Sequence, residues 1–163
     1  MSGHFLEKIF EHNNWANQKI IDVCYALSDE QLDAQPNSVT KGNIRETLTH
    51  LVTAQRGYLA LLTLPAEDRP ASSLAFAELE ESARGSGEAL LALTRGEGVS
   101  LDSRLKTRDG FYVEPWVVML QIINHATEHR EQINSMLSAL GIAPPDMDGW
   151  SYGEATNALV PMA

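Results

Sequence analysis

The chain has 163 residues, of which 44% are hydrophobic and 7% aromatic, and it carries a formal charge of −10. That length and composition suit one domain, spanning 1–163, with a single sizeable core, and they exclude a disordered chain. The acidic balance argues against nucleic acid and anionic membrane surfaces as partners, and no apolar run reaches the roughly 18 residues of a membrane span. The segment from Met1 to Lys8 lacks the basic-then-apolar form of a signal peptide, so cytoplasmic residence is expected. The single Cys24 excludes an internal disulfide and a cysteine-rich zinc site. It falls in an apolar helical pattern and reads as a small core residue.

Residues 4–27 read as a helix, with Leu6, Ile9, Phe10, Asn13, Ala16, Ile20, Val23 and Leu27 on one face. Asn13 interrupts that face with a polar amide, either a hydrogen-bonded core residue or a polar wall of a pocket. His12 is expected on the solvated flank, and His4, near the helix start, is not taken as a ligand. Residues 28–42 form a connector in which Ser28 and Gln31 have the spacing of a capping box. Pro36 and Gly42 punctuate the remainder. Asn43 caps a second long helix, with Glu46 at the capping-box position and a stripe of Ile44, Leu48, Leu51, Gln55, Leu59 and Leu62 running to about Leu64. His50 lies on the flank shared with Thr47, Ala54 and Tyr58, which can still face inward where a helix has two neighbours.

Pro65 to Ser73 reads as a loop, and Leu74 to about Thr94 as a third long helix. Gly85 and Gly87 weaken its middle by about 1 kcal/mol each relative to alanine, which points to a kink or a close helix approach. From residue 95 to 113 the pattern changes. Val99, Leu101 and Ser103 alternate, and Asp109-Gly110 between β-prone residues signals a hairpin. A small ribbon or extended excursion is expected there, carrying the chain from one bundle end to the other. Glu114-Pro115 opens a fourth long helix with proline in its first turn. That helix carries Trp116, Leu120 and Ile123 and stops at Gly141, and Pro144-Pro145 prevents continuation. The tail from Asp146 to Tyr152 is aromatic enough to pack over one bundle end.

The chemistry concentrates in the fourth helix. His125 and His129 stand four residues apart, so both rings can reach one point. His129 falls on the stripe of Ile122, Ala126, Ile133, Met136 and Leu140, with His125 on its flank. Imidazoles turned toward a core need polar partners. Alone, the pair fits two hydrogen-bonded or surface histidines as well as it fits a metal site. Four long helices with one extended crossover, however, indicate an all-α four-helix bundle, an architecture that builds metal sites from facing helices. His50 with His125 and His129 would give three neutral nitrogen donors and leave a position open for water or substrate, the arrangement of a catalytic zinc site. Such a set takes one divalent ion, zinc or nickel first, with iron or manganese also compatible. Glu128 points about 100° away from His129 around the helix and reads as a surface charge.

Several stretches together resemble the DinB/YfiT-like family of metal-dependent bundle proteins. Asn13-Asn14-Trp15-Ala16-Asn17 is similar to the family's Asn-x-Trp-Ala-Asn segment, and Asn43-Ile-Arg-Glu-Thr-Leu-Thr-His50 to its Ser-Ile-x-x-x-Leu-x-His segment. His125-Ala-Thr-Glu-His129-Arg130-Glu131-Gln132-Ile133 is similar to its His-x-x-x-His-Arg-x-Gln-Ile, and Gly141-Ile-Ala-Pro-Pro-Asp146 to its ending. Asn43 stands where a serine cap is usual, which changes little, and Glu131 stands where glycine is usual, which is expected to narrow or charge the rim beside the site. The resemblance implies that His50, His125 and His129 are a metal triad, and Asn13, Tyr58 and Gln132 are candidate pocket residues. It also implies a small-molecule substrate, handled by transfer of a low-molecular-weight thiol such as bacillithiol or mycothiol, or by hydrolysis. A homodimer is expected, since such bundles commonly pair and Trp15, Trp116 and Trp150 supply more aromatic surface than the inner stripes use. Two alternatives stand beside this reading. One is a non-enzymatic metal-binding, stress-response bundle. The other is a His-x-x-Glu-His zinc peptidase with Glu128 as base, which would need a further carboxylate from a later long helix that the sequence does not offer.

Overall fold

The helices begin at residues that can satisfy or dispense with their free backbone amides. Ser28 and Gln31 form the expected reciprocal capping box and start α2 (Asp29–Asp33). Asn43 Oδ1 accepts from the Glu46 amide at 2.8 Å and starts α3 (Ile44–Thr63). Pro115 occupies the first turn of α5 (Pro115–Ala139). That helix ends as a glycine stop: Gly141 takes φ +74°, its amide donates to Ser138 O at 3.0 Å, and the Ile142 amide donates to Leu137 O at 2.9 Å. Two further helices, α1 (Ser2–Tyr25) and α4 (Leu79–Thr94), complete the set of long ones. The molecule is described by a computed structural model covering residues 2–38, 42–70 and 73–162, with side chains from Phe5 on, so the reading of His4 lies outside it. Among the described residues no helix is long and apolar enough to cross a membrane.

The four long helices pack side by side: α1 against α4 and α5, and α3 against the same two. Their apolar faces meet in two clusters. One joins Ile20, Cys24, Ile44, Leu48, Leu79, Ile133 and Met136. The other joins Phe10, Leu62, Leu90, Leu93, Val118 and Ile122. Between the two lies a buried polar layer of Asn13, Asn17, Gln55, Ser86 and Arg130.

These memberships fix the helix directions. The start of α1, the end of α3, the end of α4 and the start of α5 share the second cluster, so α1 runs parallel to α5 and α3 parallel to α4. It is the connection from α3 to α4, residues 64–78, that travels the bundle length, about 30 Å for a helix of twenty residues. Residues 95–114 stay at one end. The crossing expected from the sequence in that later segment is therefore misplaced. The reason lies in the earlier one, where Leu74 and Phe76 have helical spacing with Leu79 and so mimic the start of the third long helix. Those two side chains instead plug the first cluster while the chain is still arriving. Phe76–Glu78 forms a short 3₁₀ segment directly before α4 begins. Tyr25 holds that entry, its hydroxyl donating to Phe76 O at 2.7 Å.

The hairpin forms as an antiparallel pair, β1 (Leu105–Lys106) with β2 (Tyr112–Val113), Leu105 opposite Val113. Gly110 takes φ +92° in its turn. Gly87 is where α4 touches α1. A Cβ there would sit 2.6 Å from Asn14 Oδ1, and Asn14 Nδ2 donates to Gly87 O at 2.9 Å. Gly85 faces open space.

The tail forms a helix not resolved by the sequence pattern, α6 (Gly149–Ala155), capped by Asp148 Oδ1 accepting from the Ser151 amide. It lays Tyr152 against Trp15 and His12, with ring centroids 5.3 and 5.5 Å apart. His12 is consequently not a solvated flank residue. It is half-buried, and its Nε2 pairs with Met147 O at 2.8 Å. Trp15 is covered, whereas Trp116 and Trp150 are 64% and 73% exposed.

Candidate metal centre

His50 projects from α3 and His125 and His129 from the facing side of α5, one turn apart. Their rings converge across the α3–α5 groove. His125 Nε2 lies 3.1 Å from His50 Nε2 and 3.1 Å from His129 Nε2. Among the described residues this is the one group of three metal-capable side chains within mutual reach. His50 is exposed and the other two are half-buried, so the cluster opens to solvent on the α3 side.

The donor set fits a cation. A four-coordinate ion with Zn–N bonds of about 2.0–2.1 Å places neighbouring donors about 3.3–3.4 Å apart, close to the spacing found here. Without a cation the arrangement is unfavourable. His129 Nδ1 lies 2.7 Å from Gln132 Oε1, an acceptor, so the ring carries its hydrogen there and turns a lone pair inward at Nε2. His125 Nε2 can point one hydrogen at one neighbour only, so two lone pairs are left facing each other. Protonation relieves this poorly. Burial, then the charge on His129, lowers the His50 pKa from its ordinary value. Burial, then His129 and His50, pushes His125 down to about 4. A divalent metal requires its imidazole ligands neutral, and His50 and His125 are both biased toward that form.

The surroundings orient these rings. Gln132 fixes the His129 tautomer, the role an outer partner commonly plays for a ligating histidine. Tyr58 stands edge-on to His125, ring centroids 5.6 Å apart. Asn13 is buried in the polar layer, where its Oδ1 accepts from Arg130 Nη1 at 2.8 Å while its Nδ2 lacks a partner. Glu128 is exposed and is not one of the three converging side chains. Cys24 is fully buried and burial raises its pKa to about 12, so no reactive thiolate comes from this chain.

Sequence reasoning misses the burial of Arg130. A signal was available: Arg130 falls on the core stripe with Ala126, Ile133 and Leu137 at spacings of four and three. Its charge argues for the surface. The oxygens that permit its burial belong to Asn13 and Asn17 on a different helix.

Long helices that carry three converging histidines on two facing members define a helical protein with a site able to hold one divalent ion. Residues 1–160 match the DinB family, and the chain belongs to that family. Among solved structures, a DinB-family protein from Exiguobacterium sibiricum superposes with a TM-score of 0.69 at 17% identity, covering 90% of this chain and 97% of the other. A DinB-like protein from Bacillus cereus gives a TM-score of 0.61 at 18% identity, covering 86% and 94%. At these identities the likeness speaks to fold. No curated protein matches the chain.

Proposed function

We propose that the chain is a metal-dependent enzyme that binds one divalent ion, zinc or nickel first, through His50, His125 and His129. Its substrate would be a small molecule, handled by thiol transfer or by hydrolysis. The observation that carries this reading is the convergence of three Nε2 atoms at 3.1 Å steps across the α3–α5 groove. A divalent ion at such a site supplies Lewis acidity, lowering the pKa of a thiol or water brought to it. The chain's own residues do the rest. Gln132 holds His129 in one tautomer, Tyr58 braces the His125 ring, and the exposed edge of His50 leaves an approach for a small molecule. The buried thiol of Cys24 cannot serve as nucleophile, so in a transfer reaction the thiol arrives as a co-substrate. The reading takes the protein as cytoplasmic, where its one cysteine remains a free thiol.

The test is elemental analysis of untreated protein and calorimetric titration with Zn²⁺ and Ni²⁺, for the natural chain and for His125→Ala. A panel of low-molecular-weight thiols with electrophiles, and of hydrolysable esters and amides, follows on the loaded protein. One ion per chain, lost in His125→Ala, with metal-dependent turnover supports the proposal. Stoichiometric binding without turnover of any panel member would make the chain a binding protein, and no binding would remove the metal altogether.

A further inference from the structure

Arg130 is 4% exposed, yet among the described residues no aspartate or glutamate is buried beside it, and the carboxylate that acts on it, Glu131, is exposed. Its bonds run to neutral oxygens: Nη1 donates to Asn13 Oδ1 at 2.8 Å and Asn17 Oδ1 at 2.6 Å, and Nη2 to Thr127 Oγ1 at 3.1 Å. A buried cation that no carboxylate hydrogen-bonds is expensive, and apolar residues of similar volume often hold a fold as well or better. Stability alone therefore does not account for this layer.

Its geometry offers another account. Asn17 accepts from Arg130 with its oxygen and donates with Nδ2 to Gln55 Oε1 at 2.9 Å. Arg130 is the residue after His129 on α5, and Gln55 lies little more than one turn past His50 on α3. The two ligand-bearing helices are thus tied through a side chain of α1, which contributes no ligand. Gln55 Nε2 extends the tie to α4, donating to Ser86 Oγ at 2.8 Å and Ala83 O at 3.0 Å. Apolar packing above and below this level is non-directional and tolerates small slips and rotations of one helix on another. Hydrogen bonds between short, half-rigid side chains do not, because they weaken steeply with angle.

We propose that Arg130 and Asn17 are positioning residues for the histidine site: through Gln55 they set the axial register and rotation of α5 against α3, and with them the Nε2 spacing. Metal ligation tolerates distance errors of only about 0.2 Å, so slack that the core absorbs would still be felt at the site. This inference rests on the reading of the cluster as a metal site.

The experiment measures Zn²⁺ affinity by competition with a chromophoric chelator, and the visible spectrum of Co²⁺-loaded protein, for the natural chain, Arg130→Met, Arg130→Lys and Asn17→Leu. Ile20→Ala serves as a control, being a buried residue of α1 outside the polar layer. All are read well below their melting temperatures with helicity checked by circular dichroism, so affinity reports site geometry and not global stability. Arg130→Met and Asn17→Leu are expected to weaken Zn²⁺ about tenfold or more, the scale of losing an outer support, and to change the Co²⁺ band shape. Arg130→Lys, which keeps the charge but brings one nitrogen to two asparagines, should recover part of the affinity. Ile20→Ala should melt lower and keep the natural affinity and spectrum. Folded Arg130→Met and Asn17→Leu binding like the natural chain would overturn the proposal, as would Ile20→Ala weakening the metal equally. If Arg130→Met does not fold, Asn17→Leu and Arg130→Lys decide between the same two outcomes. A natural chain that binds no ion at the histidines would remove the metal reading, and this inference with it.

Discussion

Gly85 and Gly87 lie two residues apart in α4, yet alanine at each is expected to move stability in opposite directions. Replacing a helix-interior glycine by alanine is worth about 1 kcal/mol from backbone entropy and propensity. Gly85 is exposed with nothing within 4 Å of its would-be Cβ, so it should return that gain in full. Gly87 is buried, and its Cβ would lie 2.6 Å from Asn14 Oδ1, 2.9 Å from Cγ and 3.1 Å from Nδ2. The whole Asn14 amide would have to move. That gives up its bond to Gly87 O, about 0.5–1.5 kcal/mol, and crowds the α1–α4 contact, about 1–3 kcal/mol. Against a gain of about 1 kcal/mol, the net is a loss of about 0.5–3.5 kcal/mol. In a domain of this size each kcal/mol moves the melting temperature by about 2–4 °C. Thermal and urea melts of metal-free Gly85→Ala, Gly87→Ala and the double variant Gly87→Ala/Asn14→Ala test this. The double variant, with the obstructing amide removed, should regain part of the loss. A Gly87→Ala protein more stable than the natural chain would refute the reasoning, since it would mean that Asn14 swings away at no cost and the helices are not in tight approach.

Gln132→Leu should weaken Zn²⁺ about 10–100-fold by freeing the His129 tautomer, read by chelator competition, and an unchanged affinity would show that Gln132 does not orient the ligand. Cys24, buried and with its pKa raised to about 12, should not react with a thiol reagent in the native protein at pH 8 and should react fully in denaturant. The docking of α6 should resist acid. Its capping Asp148, bonded to the Ser151 amide, and Glu11, bonded to Lys8, both have folded-state pKa values below the ordinary carboxylate range. Their contribution is fully present above about pH 4.5 and lost only as pH falls through those depressed values, so the fluorescence of Trp15 against Tyr152 should hold to about pH 4 and change below it. Early loss, near pH 5, would contradict the caps. A homodimer is expected by light scattering through the cleft between the starts of α1 and α5, where Leu6, Trp116 and Leu120 are exposed, and Trp116→Glu should shift it toward monomer.

What the sequence made legible was local. The Asn43 cap, the Ser28–Gln31 box and the Pro115 and Gly141 limits of α5 are each written within a few residues, as is the shared face of His125 and His129. The approach of His50 is not written that way. It stands on a flank of its stripe, and only the choice of neighbouring helix decides whether a flank faces a ligand or solvent. The direction of crossing is hidden for the same reason. A run such as Leu74, Phe76 and Leu79 has helical spacing whether or not the chain has finished travelling, and the end at which Leu62 meets Leu93 is decided by packing between helices. Arg130 shows the limit from the other side, since its position on the stripe is visible but its acceptors lie more than a hundred residues away. The short α6 hides behind a single capping aspartate.

The parallel placing of α1 beside α5 also bears on how the protein comes into being. A nascent chain presents α1, α3 and α4 before α5 exists. At that stage both apolar clusters lack a wall, Asn17 and Gln55 face water, and His50 stands alone, 75 residues ahead of its first companion. An intermediate that lacks α5 has His50 without either of the two imidazoles it meets in the finished fold. Arrival of α5 closes the two halves of the core, covers the polar layer and assembles the chelate in one event, from contacts distant in sequence and therefore slow to meet. The three-histidine cluster is in this way confined to the finished fold, so any ion held by these residues together would be taken up only after α5 has docked.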